Sequence, residues 1–292
     1  MNLSMRSEFF SVIALLAAAG AHAEDVALEK AVGSLIAAEK AYAKLAGEKG
    51  FREASISVFA DDAVIFAPSA VNGKKFWREA KKDPVISWRP SFASTSRSGE
   101  LGYTTGPWES RKSRDIEKPD AFGHFVTIWQ KNRDNLWKVA LDVGLDHPQP
   151  QGVETEISTY VPNAAIRHSE SASADLEKAQ RRFAESLKED EADAITDNAS
   201  DDIRIYRDGQ LPVVGKRAAK KLLSEQDAKT TRTPRGAGAS DPTDLVYEYG
   251  EFTSERDDAT QHGIYVCIWR LESDGACKIA LDLQKSAPTE KP

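Results

Sequence analysis

The sequence predicts an α+β protein that contains two tandem copies of one domain, each with helices that precede an antiparallel sheet. Three observations carry this prediction. Motifs of the first half recur in the second half at an offset between 140 and 144 residues. Each copy opens with a helical pattern and continues with strand patterns, which is the order of an α+β fold. A proline-containing segment of little periodicity separates the copies.

The internal repeat is visible in single motifs, and such repeats define the architecture of a chain. The matching pairs are FADDAVIF (59–66) with ASDDIRIY (199–206), GKK (73–75) with GKR (215–217), LGYTTGPWES (101–110) with LVYEYGEFTS (245–254), GHFVTIWQ (123–130) with GIYVCIWR (263–270), and WKVALD (137–142) with CKIALD (277–282).

The N-terminus has the features of a secretory signal peptide. One arginine precedes the apolar run FFSVIALLAAAG, and AHA (21–23) is a small-x-small cleavage motif. We expect residues 1–23 to be removed, so that the mature chain begins at Glu24 and is periplasmic or secreted. The alternative is an N-terminal membrane anchor. After cleavage, no apolar run is long enough to span a bilayer.

Length and charge bound the remaining chain. The 269 residues that follow the predicted cleavage site suit two domains. The net charge is −7 and the sequence has no basic stripe, which argues against nucleic acid as a partner. We expect a first domain over 24–147, a linker over 148–172, a second domain over 173–287 and a short tail over 288–292.

The first element of each copy is an amphipathic helix. In copy one the helix ends before Gly50. Its apolar stripe consists of Leu28, Val32, Leu35, Tyr42 and Ala46, and the stripe of copy two consists of Leu176, Phe183 and Leu187. A short strand, a polar loop closed by Gly73 or Gly215, a small helix and further strands follow in each copy.

The last two strands of copy one form a hairpin across NRDN (132–135). We expect this hairpin to pair Trp129 with Ala140 and Thr127 with Asp142. Side chains alternate between the faces of a strand. One face then carries Phe125, Thr127, Trp129, Ala140 and Asp142, and the other carries the aliphatic Val126, Ile128, Leu141 and Val143.

Cys267 and Cys277 flank the turn ESDG of the corresponding hairpin in copy two. A register that pairs Leu271 with Lys278 places Cys267 opposite Asp282, several rungs from Cys277. A disulfide needs Cα atoms about 4.4–6.8 Å apart. We therefore expect two free thiols.

The order helix, FADDAVIFAP, GK, LGYTTGPW and VTIWQK…WKVALDVG resembles the nuclear transport factor 2-like superfamily. The nearest resemblance is to exported bacterial members of unknown function, related to ketosteroid isomerases and SnoaL-type polyketide cyclases. It covers most of both copies and is thinner for copy two. It implies two cone-shaped domains, each with N-terminal helices packed on a curved antiparallel sheet and a pocket at the open end. It does not imply a reaction, because this fold hosts enzymes and non-enzymes.

Two carboxylates are the candidate functional groups. Asp142 interrupts an apolar strand, as Asp282 does in copy two, and an acid in such a strand is costly unless it is paired, hydrogen-bonded or wetted by a cavity. Glu39 interrupts the apolar stripe of its helix and is expected to face the same cavity. Two carboxylates in one partly apolar pocket can divide acid and base roles. Alternatively, both are structural, with Asp142 accepting a bond from Tyr103, Thr127 or Trp129.

Copy one is the better candidate for a functional pocket. Copy two has Gln180 in place of Glu39 and keeps Trp269 as its single tryptophan. The expected ligand-binding residues are Glu39, Tyr42, Tyr103, Trp108, Thr127, Trp129 and Asp142. The histidines have no metal-ligand spacing, and we expect neither a metal nor a cofactor.

The sequence leaves three functions open. The first is the binding of a small, partly apolar molecule in the pocket of the first domain. The second is a cofactor-free lyase, isomerase or hydrolase that uses Asp142 with Glu39. The third is a structural or assembly module without a ligand, in which the two copies pack on each other through their sheets.

Overall fold

The computed structural model describes residues 5–152, 155–163, 172–226, 228–256 and 259–288, with side chains from residue 24 onward except that of Ala172. The side chains of the predicted signal peptide and the end of the predicted tail lie outside the described residues. The chain forms an α+β structure with two separate sheets, as the repeat predicts. Among the described residues, no helix combines the length and apolar character needed to cross a bilayer.

The first domain consists of helices followed by strands, with one small helix inserted between strands. Its elements are α1 (Met5–Lys49), α2 (Phe51–Val58), β1 (Phe59–Phe66), β2 (Ala70–Asn72), α3 (Gly73–Glu79), β3 (Val85–Trp88), β4 (Phe92–Thr95), β5 (Leu101–Arg111), β6 (Ala121–Lys131) and β7 (Trp137–His147). Helix α1 ends where predicted, since Gly50 adopts a φ of 101°, a conformation that glycine accepts readily.

The second domain repeats this order, and the segment between the domains contributes one strand. The elements are β8 (Ser158–Tyr160), α4 (Ala172–Ser186), α5 (Glu191–Asp197), β9 (Ala199–Arg207), β10 (Val213–Val214), α6 (Lys216–Ser224), β11 (Lys229–Ala239), β12 (Leu245–Arg256), β13 (Ala259–Leu271) and β14 (Cys277–Ser286).

The two sheets have the same core topology. The strand order is β2-β1-β7-β6-β5-β4-β8 in the first domain, with β3 also paired to β5, and β10-β9-β14-β13-β12-β11 in the second. Strand β1 runs parallel to β7, and β9 runs parallel to β14. Strand β8 lies within the predicted linker and pairs in parallel with β4. The linker is thus partly built into the first sheet.

The β6–β7 register confirms one predicted pair and corrects another. Thr127 lies opposite Asp142, as expected, but Trp129 lies opposite Val139 rather than Ala140. A β-bulge between Ile128 and Trp129 shifts the register by one residue. Because a one-residue shift exchanges the two faces of a strand, Val139 joins the interior of the domain and Ala140 packs on the opposite side.

The second hairpin carries the same bulge, between Ile268 and Trp269. Leu271 therefore lies opposite Cys277 rather than Lys278, whereas Cys267 still lies opposite Asp282 as predicted. Both cysteines are free. The prediction of two unpaired thiols is confirmed, although the register near the turn was wrong by one residue.

The aliphatic faces of the two sheets pack against each other. One buried cluster contains Val126, Ile128, Leu141 and Val143 of the first domain together with Ile264, Val266, Ile268, Leu281 and Leu283 of the second. Polar contacts support it: the Thr105 hydroxyl donates to Tyr206 Oη at 2.8 Å, and Arg97 N donates to Asp244 Oδ2 at 2.8 Å. The remaining two clusters lie between each sheet and its own helices.

Candidate functional site

The first domain contains a cavity of about 330 Å³ between its helices and its sheet. This cavity is bounded chiefly by aromatic rings, and its polar lining is small. The lining residues are Tyr42, Phe51, Ile65, Phe66, Ala67, Phe76, Trp77, Ile86, Trp88, Trp108, Phe125, Thr127, Asp142, Val143, Gly144, Asp146 and Lys285.

Asp142 is the acid in the wall of this cavity. It extends from β7 on the same face as Thr127, and the Thr127 hydroxyl donates to Asp142 Oδ1 at 2.8 Å. Burial raises the pKa of Asp142 to about 7; the hydrogen bond from Thr127 lowers the pKa and the nearby Glu39 raises it. Asp142 can therefore exchange a proton near neutral pH.

Glu39 lies behind the aromatic wall and is fully buried. Its carboxylate accepts bonds from Trp88 Nε1 at 2.6 Å, Thr104 Oγ1 at 2.6 Å and Trp129 Nε1 at 2.9 Å. Burial raises the pKa of Glu39 in spite of these three bonds, each of which lowers it. The three donors occupy the carboxylate, so Glu39 holds two indole rings in place rather than facing the cavity.

One glycine lets an indole ring lie against the sheet. A Cβ atom on Gly123 would lie 2.3 Å from Trp108 Cζ2, whereas one on Gly144, at 3.4 Å from Trp108 Nε1, would make an ordinary van der Waals contact. Trp108 Nε1 also donates to the carbonyl of His124 at 3.1 Å. The absence of a side chain at Gly123 thus lets Trp108 lie in the cavity wall.

The second domain completes the mouth of this cavity. Lys285 on β14 donates from Nζ to the carbonyl of Gly144 at 2.5 Å. Next to it, Gly209 N donates to the carbonyl of Asp146 at 2.8 Å, and Asp146 N donates to Asp208 Oδ1 at 3.2 Å. The cavity therefore opens beside the seam between the two domains.

The corresponding interior of the second domain is filled by ion pairs. Asp282 is fully buried, with Oδ1 2.9 Å from Arg207 Nη2 and Oδ2 2.7 Å from Arg232 Nη2. Glu191 accepts from Arg207 at 2.8 Å and from Gln284 at 2.7 Å. Burial alone would raise the pKa of Asp282, but Arg232 and Arg207 outweigh it and hold that pKa below its usual value.

The arginines and their partners occupy positions that line the open cavity in copy one. Strand register and the repeat offset place Glu191 at the position of Phe51, Arg207 at that of Ala67, Arg232 at that of Trp88, and Gln284 at that of Gly144. Four apolar or small residues in one copy are therefore charged or amide residues in the other. This exchange explains why one interior is open and the other is filled.

The structure places the residues predicted for the site in three locations. Tyr42, Trp108, Thr127 and Asp142 line the cavity, and Glu39 and Trp129 lie behind its wall. The prediction that Tyr103 binds a ligand in the cavity was wrong, because Tyr103 lies opposite Ile128 and packs in the cluster between the two sheets. The adjacent Thr104 faces the interior and donates to Glu39.

Two lining residues, Phe51 and Lys285, were not singled out from the sequence. Phe51 begins α2, where the repeat shows no aromatic counterpart because copy two has Glu191 there. That difference between the copies was the available signal. Lys285 had none, because its role depends on how the two domains pack.

No protein-family model and no curated protein matches this chain. Solved structures similar to it include a conserved protein from Planctomyces limnophilus (17% identity, 41% of this chain and 100% of that one, TM-score 0.33) and a ketosteroid isomerase-like protein from Erwinia carotovora (13%, 43% and 100%, 0.35).

A further match is an NTF2-like protein with a cystatin-like fold from Novosphingobium aromaticivorans (10% identity, 41% of this chain and 84% of that one, TM-score 0.34). Each match spans about two fifths of this chain, which is the length of one copy.

Proposed function

We propose that the first domain binds a small, largely apolar molecule in the cavity around Asp142. The observation that carries this proposal is the contrast between the copies: buried ion pairs occupy the interior of the second domain, whereas the corresponding part of the first domain forms a cavity. A volume of about 330 Å³ lies at the lower end of the range for ligand pockets, roughly 300–1,000 Å³. Aromatic walls with few polar groups are typical of such pockets.

A neutral fluorescent probe, N-phenyl-1-naphthylamine, tests this binding. We expect its emission to rise and shift to the blue with the wild-type protein. Ile86→Trp adds an indole to the cavity lining and should abolish the change, whereas Leu136→Trp, at an exposed position, should preserve it. Equal signals from the two variants would place the probe outside the cavity and count against the proposal.

A second candidate function is cofactor-free proton transfer as a lyase, isomerase or hydrolase, with Asp142 as the base and Glu39 as a positioning residue. A pKa of about 7 for Asp142 supports it, because a base is most effective when its pKa lies near the working pH. Exchange of the α-protons of cyclohexanone in D₂O, followed by NMR, tests this function. Exchange no faster with the wild type than with Asp142→Asn would remove this candidate and leave ligand binding intact.

The third candidate is an assembly module without a ligand, favoured by the extensive packing of the two sheets. Failure of the cavity probe to bind, together with an intact domain interface, would be the result expected for it.

Export of the protein also remains a proposal. It is supported by the apolar run and the AHA motif in the sequence. Intact-mass measurement of the protein from a native host should give a chain that begins at Glu24. A retained N-terminus would favour the anchor instead.

A further inference from the structure

We propose that the molecule bound in the first domain is an organic cation, whose ammonium or guanidinium group pairs with Asp142 while its apolar part contacts the aromatic wall. This inference rests on the proposed binding function and adds the chemical class of the ligand. It comes from the second domain, where an arginine side chain already occupies the corresponding space.

Arg232 shows how a cation fits in this fold. Its guanidinium lies 2.7 Å from Asp282 Oδ2, and its Cζ lies 4.6 Å from the ring centre of Tyr265 and 5.3 Å from that of Phe183. A carboxylate and two aromatic rings therefore surround one buried organic cation. Such rings attract cations through their electron-rich faces.

The first domain has the same receptor groups. Asp142 corresponds to Asp282, because each lies opposite the matching residue of its hairpin, Thr127 or Cys267. Phe125 corresponds to Tyr265, since they lie opposite Gly144 and Gln284.

The remaining correspondences concern the helix and the cation itself. Tyr42 corresponds to Phe183 on the first helix of each copy. Arg232 itself is replaced by Trp88, because Arg232 pairs with Phe252 and Trp88 pairs with Trp108 at the matching rungs. The carboxylate and both rings are thus retained, and the built-in cation is absent.

Within the described part of the chain, neither Asp142 nor Glu39 has a lysine or arginine partner; their hydrogen bonds come from threonine hydroxyls and indole N–H groups. Lys285, which lines the cavity, is held at the mouth by the Gly144 carbonyl, beside the acidic Asp146 and Asp208. The interior of copy two, by contrast, matches two carboxylates with two arginines.

The aromatic wall of the cavity also favours a cationic ligand. The indole N–H groups of Trp88 and Trp129 donate to Glu39, which increases the electron density of both rings. Trp88 lines the cavity directly, with Trp77 and Trp108. Tryptophan is the aromatic residue that attracts cations most strongly. A cation in this cavity would therefore meet a carboxylate at one side and electron-rich rings on the others.

Calorimetric titration with three benzyl compounds tests the inference: benzyltrimethylammonium, neutral benzyl alcohol and anionic benzoate. At pH 8 we expect the cation to bind at least about tenfold more tightly than the alcohol, and benzoate to bind most weakly. Asp142→Asn should lower this preference at least about threefold and leave the part that the aromatic rings supply, whereas Asp134→Asn, a change at an exposed acid in the β6–β7 turn, should keep the full preference.

A second variant inserts the cation of the other copy. Ala67→Arg recreates the counterpart of Arg207, whose side chain pairs with Asp282 at 2.9 Å, at a position that is exposed in the first domain. It should abolish binding of benzyltrimethylammonium, and Ala67→Gln should retain it.

Equal or weaker binding of the cation relative to the alcohol in the wild type would overturn the cation inference and leave the proposed binding function standing. Failure of all three compounds to bind would count against both.

Discussion

Asp142 and Asp282 lie at the same position of two homologous strands, yet only Asp282 is paired with arginine. Asp142 accepts a hydrogen bond from a threonine, and Asp282 lies within 2.9 Å of both Arg207 and Arg232. The position itself is a feature of the repeat. What differs is the set of side chains that the helices and the edge strands direct toward it.

The two acids should differ in their effect on stability. Asp282→Asn replaces the carboxylate that faces two buried guanidinium groups with a neutral amide. Breaking a buried ion pair in this way lowers the free energy of unfolding by about 3–5 kcal/mol. Asp142→Asn removes a carboxylate without a cationic partner, so at pH 7 we expect no loss of stability and, if any change, a gain. Urea unfolding of both variants at pH 7 measures the difference. Equal losses would show that the two acids serve the same architectural role.

Stability should also depend on pH through Asp142. Its folded pKa of about 7 lies above the ordinary 3.8, so between these values the folded state holds a proton that the unfolded state has lost. Stability is therefore highest below about pH 4 for this group and falls as pH rises to 7, by roughly 2–4 kcal/mol. Glu39, whose pKa is also raised, acts in the same direction.

Urea unfolding of the wild type and Asp142→Asn from pH 4 to pH 8 checks this dependence. The variant should gain stability relative to the wild type as the pH rises, because it lacks the carboxylate that must ionise. Parallel curves for the two proteins would show that Asp142 titrates normally.

The interface between the sheets should be essential to folding. Val266 is fully buried in the cluster between the domains, so Val266→Asp would place a charge there without a partner. We expect a loss of at least about 3 kcal/mol, measured by urea unfolding. Val214→Asp makes the same change at an exposed position of the same domain and should have little effect. Similar stabilities of the two variants would indicate domains that do not depend on their contact.

The two thiols should differ in reactivity. Cys267 is buried, and burial followed by the nearby Asp282 raises the pKa of its thiol; Cys277 is partly exposed, and burial raises its pKa as well. With Ellman's reagent, the native protein should react first at Cys277, and the unfolded, non-reduced protein should give two thiols per chain. Cys277→Ser should remove the faster phase. A protein without titratable thiols would contradict the hairpin register.

Much of the architecture followed from the sequence. The repeat predicted two copies of one domain, and alternation along the strands predicted the pairing of Thr127 with Asp142 and the aliphatic face that packs between the sheets. The assignment of Ala140 failed because a bulge shifts the register by one residue, and neither Ile128 nor Trp129 marks such a site. The prediction that Tyr103 lies in the site was wrong for a related reason. The loop between β5 and β6 gives no indication of how the residues of the two strands pair, and therefore of which face Tyr103 occupies.

The difference between the two interiors was harder to predict. Arg232 lies between the exposed Thr231 and Thr233, whereas Arg207 ends a strand whose last three residues are all buried. Strict alternation along the strands therefore does not show that both arginines point inward. Their contact with Asp282 depends on the curvature and packing of the whole sheet. The sequence did show that copy one keeps the aromatic residues, and these residues form the wall of the open cavity.

The most direct test of this account is an NMR titration of the aspartate side-chain carboxyl carbons, in which Asp142 and Asp282 report from the same sample. Assignment uses Asp142→Asn and Asp282→Asn. We predict that Asp142 titrates near pH 7, whereas Asp282 stays ionised to below the usual range because of its two arginines. Titration of both carboxyls at the same pH, or of Asp142 near pH 4, would contradict the account.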